Sequence, residues 1–265
     1  MTEVINRIHD IEGFLQANPC PEINGVYEGH IFFSCLNPSK ELIEAYTKAT
    51  DQINEFRVQS APSPTTASKI KACVLALNFR GVGYVVVLQS ARYFHADNLR
   101  QAIAELQRDA DEYTEYFTKR NIDIQVFREK LECLASCSGV PKTDQEAKKF
   151  SKYFEFHIRI RRKNDNVIDP VSDEELKELE EISERLSAEF NCPVPLSYNK
   201  AKESEFQRYL NVRFRGVGSD QCKENVDAVV QAIEASKNFK WEKTISEYVP
   251  FDTLTALDKG WIDFE

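Results

Sequence analysis

The chain has 265 residues, more than one average domain and enough for two. Its 42% hydrophobic and 11% aromatic content excludes a disordered chain. A formal charge of -9 excludes a general attraction to nucleic acid or to an anionic membrane, so an anion site would have to be a local basic cluster on an acidic body.

Residues 1–15 lack a basic segment followed by an apolar one, so no signal peptide is expected, and the apolar run 82–88 is too short to span a bilayer. Cys20, Cys35, Cys73, Cys133, Cys137, Cys192 and Cys222 are scattered, and Cys133 and Cys137 have no second pair to complete a zinc site. The expectation is a cytoplasmic protein with reduced thiols and no membrane partner.

In chain order, a helical extension over 1–24 precedes a first strand carrying Glu28-Gly29-His30-Ile31. Leu42, Ile43, Tyr46 and Ile53 at helical spacing predict a helix over 39–54, followed by an extended segment at 56–61. Alternation then leads into Phe79-Arg80-Gly81-Val82-Gly83, a helix over 97–119 and a last strand over 122–133. After a polar linker at 136–149, containing Gly139 and Pro141, the pattern returns. A strand carries Glu155-Phe156-His157-Ile158, and a helix spans 173–190 behind a Ser172/Glu175 capping box. An extended segment at 193–198, the run into Phe214-Arg215-Gly216-Val217-Gly218, a helix over 224–237 and a strand over 241–249 complete it.

Two E-x-H-I segments in a chain with four histidines, and two F-R-G-V-G segments using four of nine glycines, point to an internal repeat. The expected fold class is α+β: a tandem duplication of ferredoxin-like βαββαβ modules with antiparallel sheets, at 25–135 and 150–250, with a docked tail at 251–265.

Alternation assigns faces. Phe154, Phe156, Ile158 and Ile160 should lie under the helices with Leu210, Val212 and Phe214. Glu155, His157, Arg159 and Arg161 then share the opposite face with Asn211, Arg213 and Arg215, and the last strand adds Lys243 and Glu247. Cross-strand neighbours are about 5 Å apart, so that much like charge calls for an anionic partner. In the first module Glu28, His30 and Phe32 share a face with Asn78 and Arg80, with less charge.

The dull reading is a hydrated sheet face with cross-strand ion pairs. The functional one makes His157, with Glu155, a general acid or base, and the arginines the grip on an anion. The glycines of F-R-G-V-G either permit a bulge or tight turn or cradle a phosphate, though they lack the lysine and third glycine of known phosphate loops. No third ligand joins E-x-H, so neither a metal nor a cofactor is expected. His9 and His95 stand alone.

Phe154-Glu155-Phe156-His157, Lys243 with Glu247, and Asp252 through Leu257-Asp258-Lys259-Gly260-Trp261 resemble a family of small bacterial and eukaryotic proteins of ferredoxin-like plan. The resemblance covers about 150–265. It implies that fold and directs attention to Glu155 and His157, but implies no activity.

The leading expectation is a site for an anionic small molecule, phosphorylated ones included. It would lie on the second module's sheet face or between the modules, with catalysis by His157 left open. The rivals are a single-stranded RNA binder, for which the RNP-type aromatic pattern is missing, and a non-catalytic scaffold. Nucleic acid is therefore not the expected partner, and the ligand's identity and the oligomeric state are not legible.

Overall fold

The computed structural model describes residues 8, 10–60, 68–79, 83–164, 171–199 and 208–255. In chain order these form α1 (Ile11–Ala17), β1 (Gly25–Leu36), α2 (Lys40–Ser60), β2 (Lys71–Phe79), β3 (Gly83–Ala96), α3 (Leu99–Lys119) and β4 (Val126–Leu134). The chain continues through α4 (Asp144–Ala147), β5 (Tyr153–Arg162), α5 (Asp173–Phe190), β6 (Leu196–Asn199), β7 (Arg208–Arg215), α6 (Ser219–Glu234) and β8 (Phe239–Asp252). Among the described residues no helix is long and apolar enough to cross a membrane, and none of the seven cysteines is in a disulfide.

The expected pair of separate ferredoxin-like sheets is not what forms. The strands run β1-β3-β2-β6-β7-β5-β8-β4 and close into one eight-stranded barrel. The overturning contact is β2 with β6, an antiparallel ladder from Leu75↔Asn199 to Leu77↔Ser197. Independent sheets would each leave exposed edges with unpaired backbone groups, and closure removes those edges.

Contacts divide the chain into two compact units. Unit 1 holds Met1–Val74, Val86–Gly139 and Val249–Leu254, and unit 2 holds Leu75–Val85, Val140–Tyr248 and Thr255–Glu265. Strands β2, β3 and β8 each begin in one unit and end in the other. The segment read as a linker at 136–149 contains α4, where Thr143 and Glu146 form a capping box.

In unit 1 the apolar core gathers on Phe33, whose ring centroid lies 5.1 Å from Tyr46, 5.0 Å from Tyr113 and 5.8 Å from Phe117. Burying each such ring contributes about 1.5–3 kcal/mol. Their hydroxyls are satisfied: Tyr46 donates to the Gln89 carbonyl at 2.6 Å, and Tyr113 pairs with Thr50 Oγ1 at 2.8 Å. Gly29, between Glu28 and His30, lets α3 approach β1, since a Cβ there would meet Leu106 Cδ1 at 3.0 Å and Phe94 Cε1 at 3.1 Å.

Helix α2 runs through to Ser60, so the segment at 56–61 read as extended is mostly its last turn. Arg57 explains the extra turn. It continues the buried row of Tyr46, Ala49, Thr50 and Ile53 and ties it to Asp109 and to Glu112 of α3, the latter at 2.8 Å.

In unit 2 β5 and β7 pair from Tyr153↔Arg215 to Ile160↔Arg208. Phe154, Phe156, Ile158 and Ile160 are buried with Leu210, Val212 and Phe214 and with Leu179, Ile182, Leu186, Val226, Val229 and Ile233 of the helices. Helix α5 occupies the expected span behind Ser172, and its Glu175 also takes Arg162 Nε at 2.7 Å.

The two F-R-G-V-G segments do not occupy equivalent places. The first follows β2, with residues 80–82 outside the described residues, whereas the second joins β7 to α6. There Gly216 has a left-handed φ of 69°, and a Cβ on Gly218 would sit 2.3 Å from the Lys142 carbonyl oxygen. Asp144 Oδ1 accepts the Gly218 N–H at 2.8 Å. These glycines admit a tight turn and a close backbone approach.

Candidate functional site

Each unit has a polar sheet face built on its E-x-H strand. In unit 1, β1 lies between β3 and β4, and antiparallel register sets Glu28 opposite Glu132, His30 opposite Lys130 and Phe32 opposite Arg128. His30 Nε2 is 2.8 Å from Glu132 Oε2, and its Nδ1 is 2.6 Å from Gln89 Nε2. Lys130 Nζ reaches Glu132 Oε1 at 2.6 Å, Arg128 pairs with Asp252, and the Arg128 guanidinium lies 4.9 Å over the Phe32 ring.

Burial alone would push the His30 imidazole down. The charge and hydrogen bond of Glu132, with the charge of Glu28, outweigh both that and Lys130 and hold it above the usual histidine value. Glu28, His30 and Glu132 bring one donor atom each within 4.8 Å of one another. Lys130 also supplies positive charge to Glu132 within this group.

In unit 2 the polar row of β5 changes from buried to open along the strand. Glu155 is buried and paired with Arg213 across the ladder. His157 has a side chain 29% exposed, with Nδ1 2.7 Å from Asn211 Oδ1 and Nε2 3.4 Å from Glu247 Oε2 and 3.7 Å from Glu155 Oε1. Arg159 Nε and Arg161 Nη2 then converge on Glu242, at 2.7 and 2.6 Å, with side chains 18% and 53% exposed.

The residues singled out from sequence fall into three groups. Glu155, His157, Asn211, Arg213 and Glu247 are brought together, and so are Glu28 and His30. Arg159 and Arg161 form a second cluster farther along β5. Arg215 is exposed opposite Tyr153, at the other end of the strand from Arg161, so the arginines do not act as one patch. Lys243 is exposed, and its neighbour Glu242 meets the arginines instead.

Glu242 and Glu247 both face the polar row despite an odd spacing, so β8 departs from strict alternation between them, as a bulge does. No alternation rule could have found Glu242. Gln89 and Ser197, partners of His30 and Asn211, were also missed: Gln89 lies beyond the strands the repeat identified, and Ser197 lies in the extended segment 193–198, to which no face was assigned. Arg80, His9 and the tail from Leu257 to Trp261 lie outside the described residues.

No family model matches the chain, and no curated protein matches it. Among solved structures it is similar to a heme-binding protein from Thermus thermophilus, at 10% identity over 88% of this chain and 94% of that chain, with a TM-score of 0.29. It is also similar to a dye-decolorizing protein from V. cholerae, at 7% identity over 87% of this chain and 95% of that one, TM-score 0.29. A third is an aldoxime dehydratase, at 10% identity over 88% and 87% of the two chains, TM-score 0.39. At these values the site has to be read from its own residues.

Proposed function

We propose that unit 2 binds a small oxyanion, a phosphate or carboxylate group, on Arg159 and Arg161, with His157 next along β5 as the group that gives or takes a proton. The observation that carries this is the convergence of two guanidiniums on the single carboxylate of Glu242 at 2.7 and 2.6 Å. An internal carboxylate within ion-pair distance of both arginines supports a site for an oxyanion, since guanidiniums favour such groups. The Arg159 Nε contact is an ion pair without hydrogen-bond geometry, which leaves that donor for an incoming anion. Glu242 then acts as a resident competitor that an incoming anion displaces. The row leads from Arg161 at the solvent end to the half-buried His157, so a ligand held by the arginines points its remainder toward the imidazole.

Titration calorimetry with inorganic phosphate at low salt tests this. Wild type should bind, the Arg159→Ala/Arg161→Ala double variant should not, and Glu242→Gln should bind about tenfold more tightly, the size expected for losing a competing charge-assisted contact. Absence of phosphate binding in both wild type and Glu242→Gln would refute the assignment. Salt-steep binding of single-stranded RNA in its place would move the protein to the nucleic-acid class.

A further inference from the structure

The two ring nitrogens of His157 are served by different elements. Nδ1 faces Asn211 Oδ1 at 2.7 Å across the β5/β7 ladder, while Nε2 faces the carboxylates of Glu247 and Glu155. Which nitrogen carries the proton of the neutral ring depends on what its neighbour can offer.

A carboxamide can in principle be turned either way, but that of Asn211 is pinned. Its Nδ2 donates to the Pro195 carbonyl at 3.1 Å and to Ser197 Oγ at 2.9 Å. A peptide carbonyl can only accept. Turned over, Oδ1 would face that carbonyl as a second acceptor at a residue 3% exposed, where an unmade hydrogen bond is costly. The same Pro195 oxygen takes the Asn211 backbone N–H at 2.9 Å, which fixes the strand relative to the amide. The oxygen is thus left facing His157, and an amide oxygen only accepts. At 2.7 Å it is nearer to Nδ1 than the carboxylates are to Nε2 at 3.4 and 3.7 Å, so a ring with one proton carries it on Nδ1.

We infer that Asn211 is a positioning residue that holds neutral His157 in its Nδ1–H tautomer and dedicates Nε2 to proton transfer. When a ligand X–H group delivers its proton, the X–H bond breaks and the Nε2–H bond forms. The resulting imidazolium lies against Glu247 and Glu155 on one side and keeps Asn211 on the other. The same proton returns by the reverse step, so no other reactant is needed. The proton-transfer role rests on the anion-binding reading; the tautomer does not.

Two-bond proton–nitrogen correlation spectra of the full chain, with ¹⁵N-labelled imidazoles and recorded where the ring is neutral, test this. His157→Gln identifies the signal among the four histidines. Wild type should show a protonated Nδ1 and a bare Nε2. Asn211→Ala should shift the ring toward Nε2–H, while Asn211→Asp, which keeps the acceptor, should retain Nδ1–H. A wild-type Nε2–H ring overturns the inference, as does an unchanged pattern in Asn211→Ala; if that variant does not fold, the wild-type spectrum decides. Adding inorganic phosphate separates the two readings. An Nδ1–H ring insensitive to phosphate supports the tautomer and counts against the anion site, whereas an Nε2–H ring that responds to phosphate does the reverse.

Discussion

His30 and His157 occupy matching places in strands that each lie between two partners, and their surroundings diverge. The His30 side chain is 9% exposed and closed against Glu132 at 2.8 Å, with Gln89 on its other nitrogen. The His157 side chain is 29% exposed, its carboxylates stand off at 3.4 and 3.7 Å, and only Asn211 holds it closely. Residues opposite the histidines differ: His30 faces Ala91 on β3 and Lys130 on β4, and His157 faces Asn211 on β7. Lys130 brings a buried charge that the carboxylate must answer, whereas Asn211 is neutral. One motif thus builds a closed ion cluster in unit 1 and leaves a part-exposed imidazole in unit 2.

The largest test of this contrast removes the carboxylates. Glu132→Ala leaves Lys130 and His30 buried without it, and Glu155→Ala does the same to Arg213, so each should lower stability by about 3–5 kcal/mol. Urea unfolding measures this, and a loss below about 1 kcal/mol at Glu132 would mean the cluster is not closed.

Substituting the histidines gives the next effect. His30→Gln should cost about 1.5–3 kcal/mol, as for a hydrogen bond to a charged group, and His157→Gln no more than about 1 kcal/mol. Equal losses would erase the contrast.

The smallest effect is in pH. The folded-state value of His30 is raised, so its contribution is fully present below the unfolded value of about 6.5 and is lost as pH rises through the folded value. The urea midpoint should therefore decline over that window in wild type and decline less in His30→Gln. Parallel profiles would show that His30 is not the group responsible.

Where local chemistry decides structure, the sequence was readable. Helix α5 has its capping box and its row of Leu179, Ile182 and Leu186, and β5 alternates apolar and polar residues along its length. The last turn of α2 was misread because the reason for it, Arg57 reaching Asp109, lies some fifty residues away. Barrel closure was hidden for the same reason, since the β2/β6 ladder joins residues 75–77 to 197–199 and neither segment announces the other. F-R-G-V-G misled because identical letters serve two different junctions. Within the site, Asn211 was legible from the parity of β7, but its grip on Pro195 and Ser197, which gives it chemical meaning, was not.

The route of β8 has a consequence for synthesis. Residues Val249–Leu254 belong to unit 1, where Asp252 meets Arg128, Phe251 packs edge-on to Phe14 at 5.4 Å, and the Thr253 N–H donates to the Glu129 carbonyl at 3.0 Å. A nascent chain often folds its amino-terminal part first. Here the earlier-made unit 1 waits for residues translated after Val140–Tyr248 of unit 2, so the chain must leave the ribosome through Leu254 before unit 1 is complete.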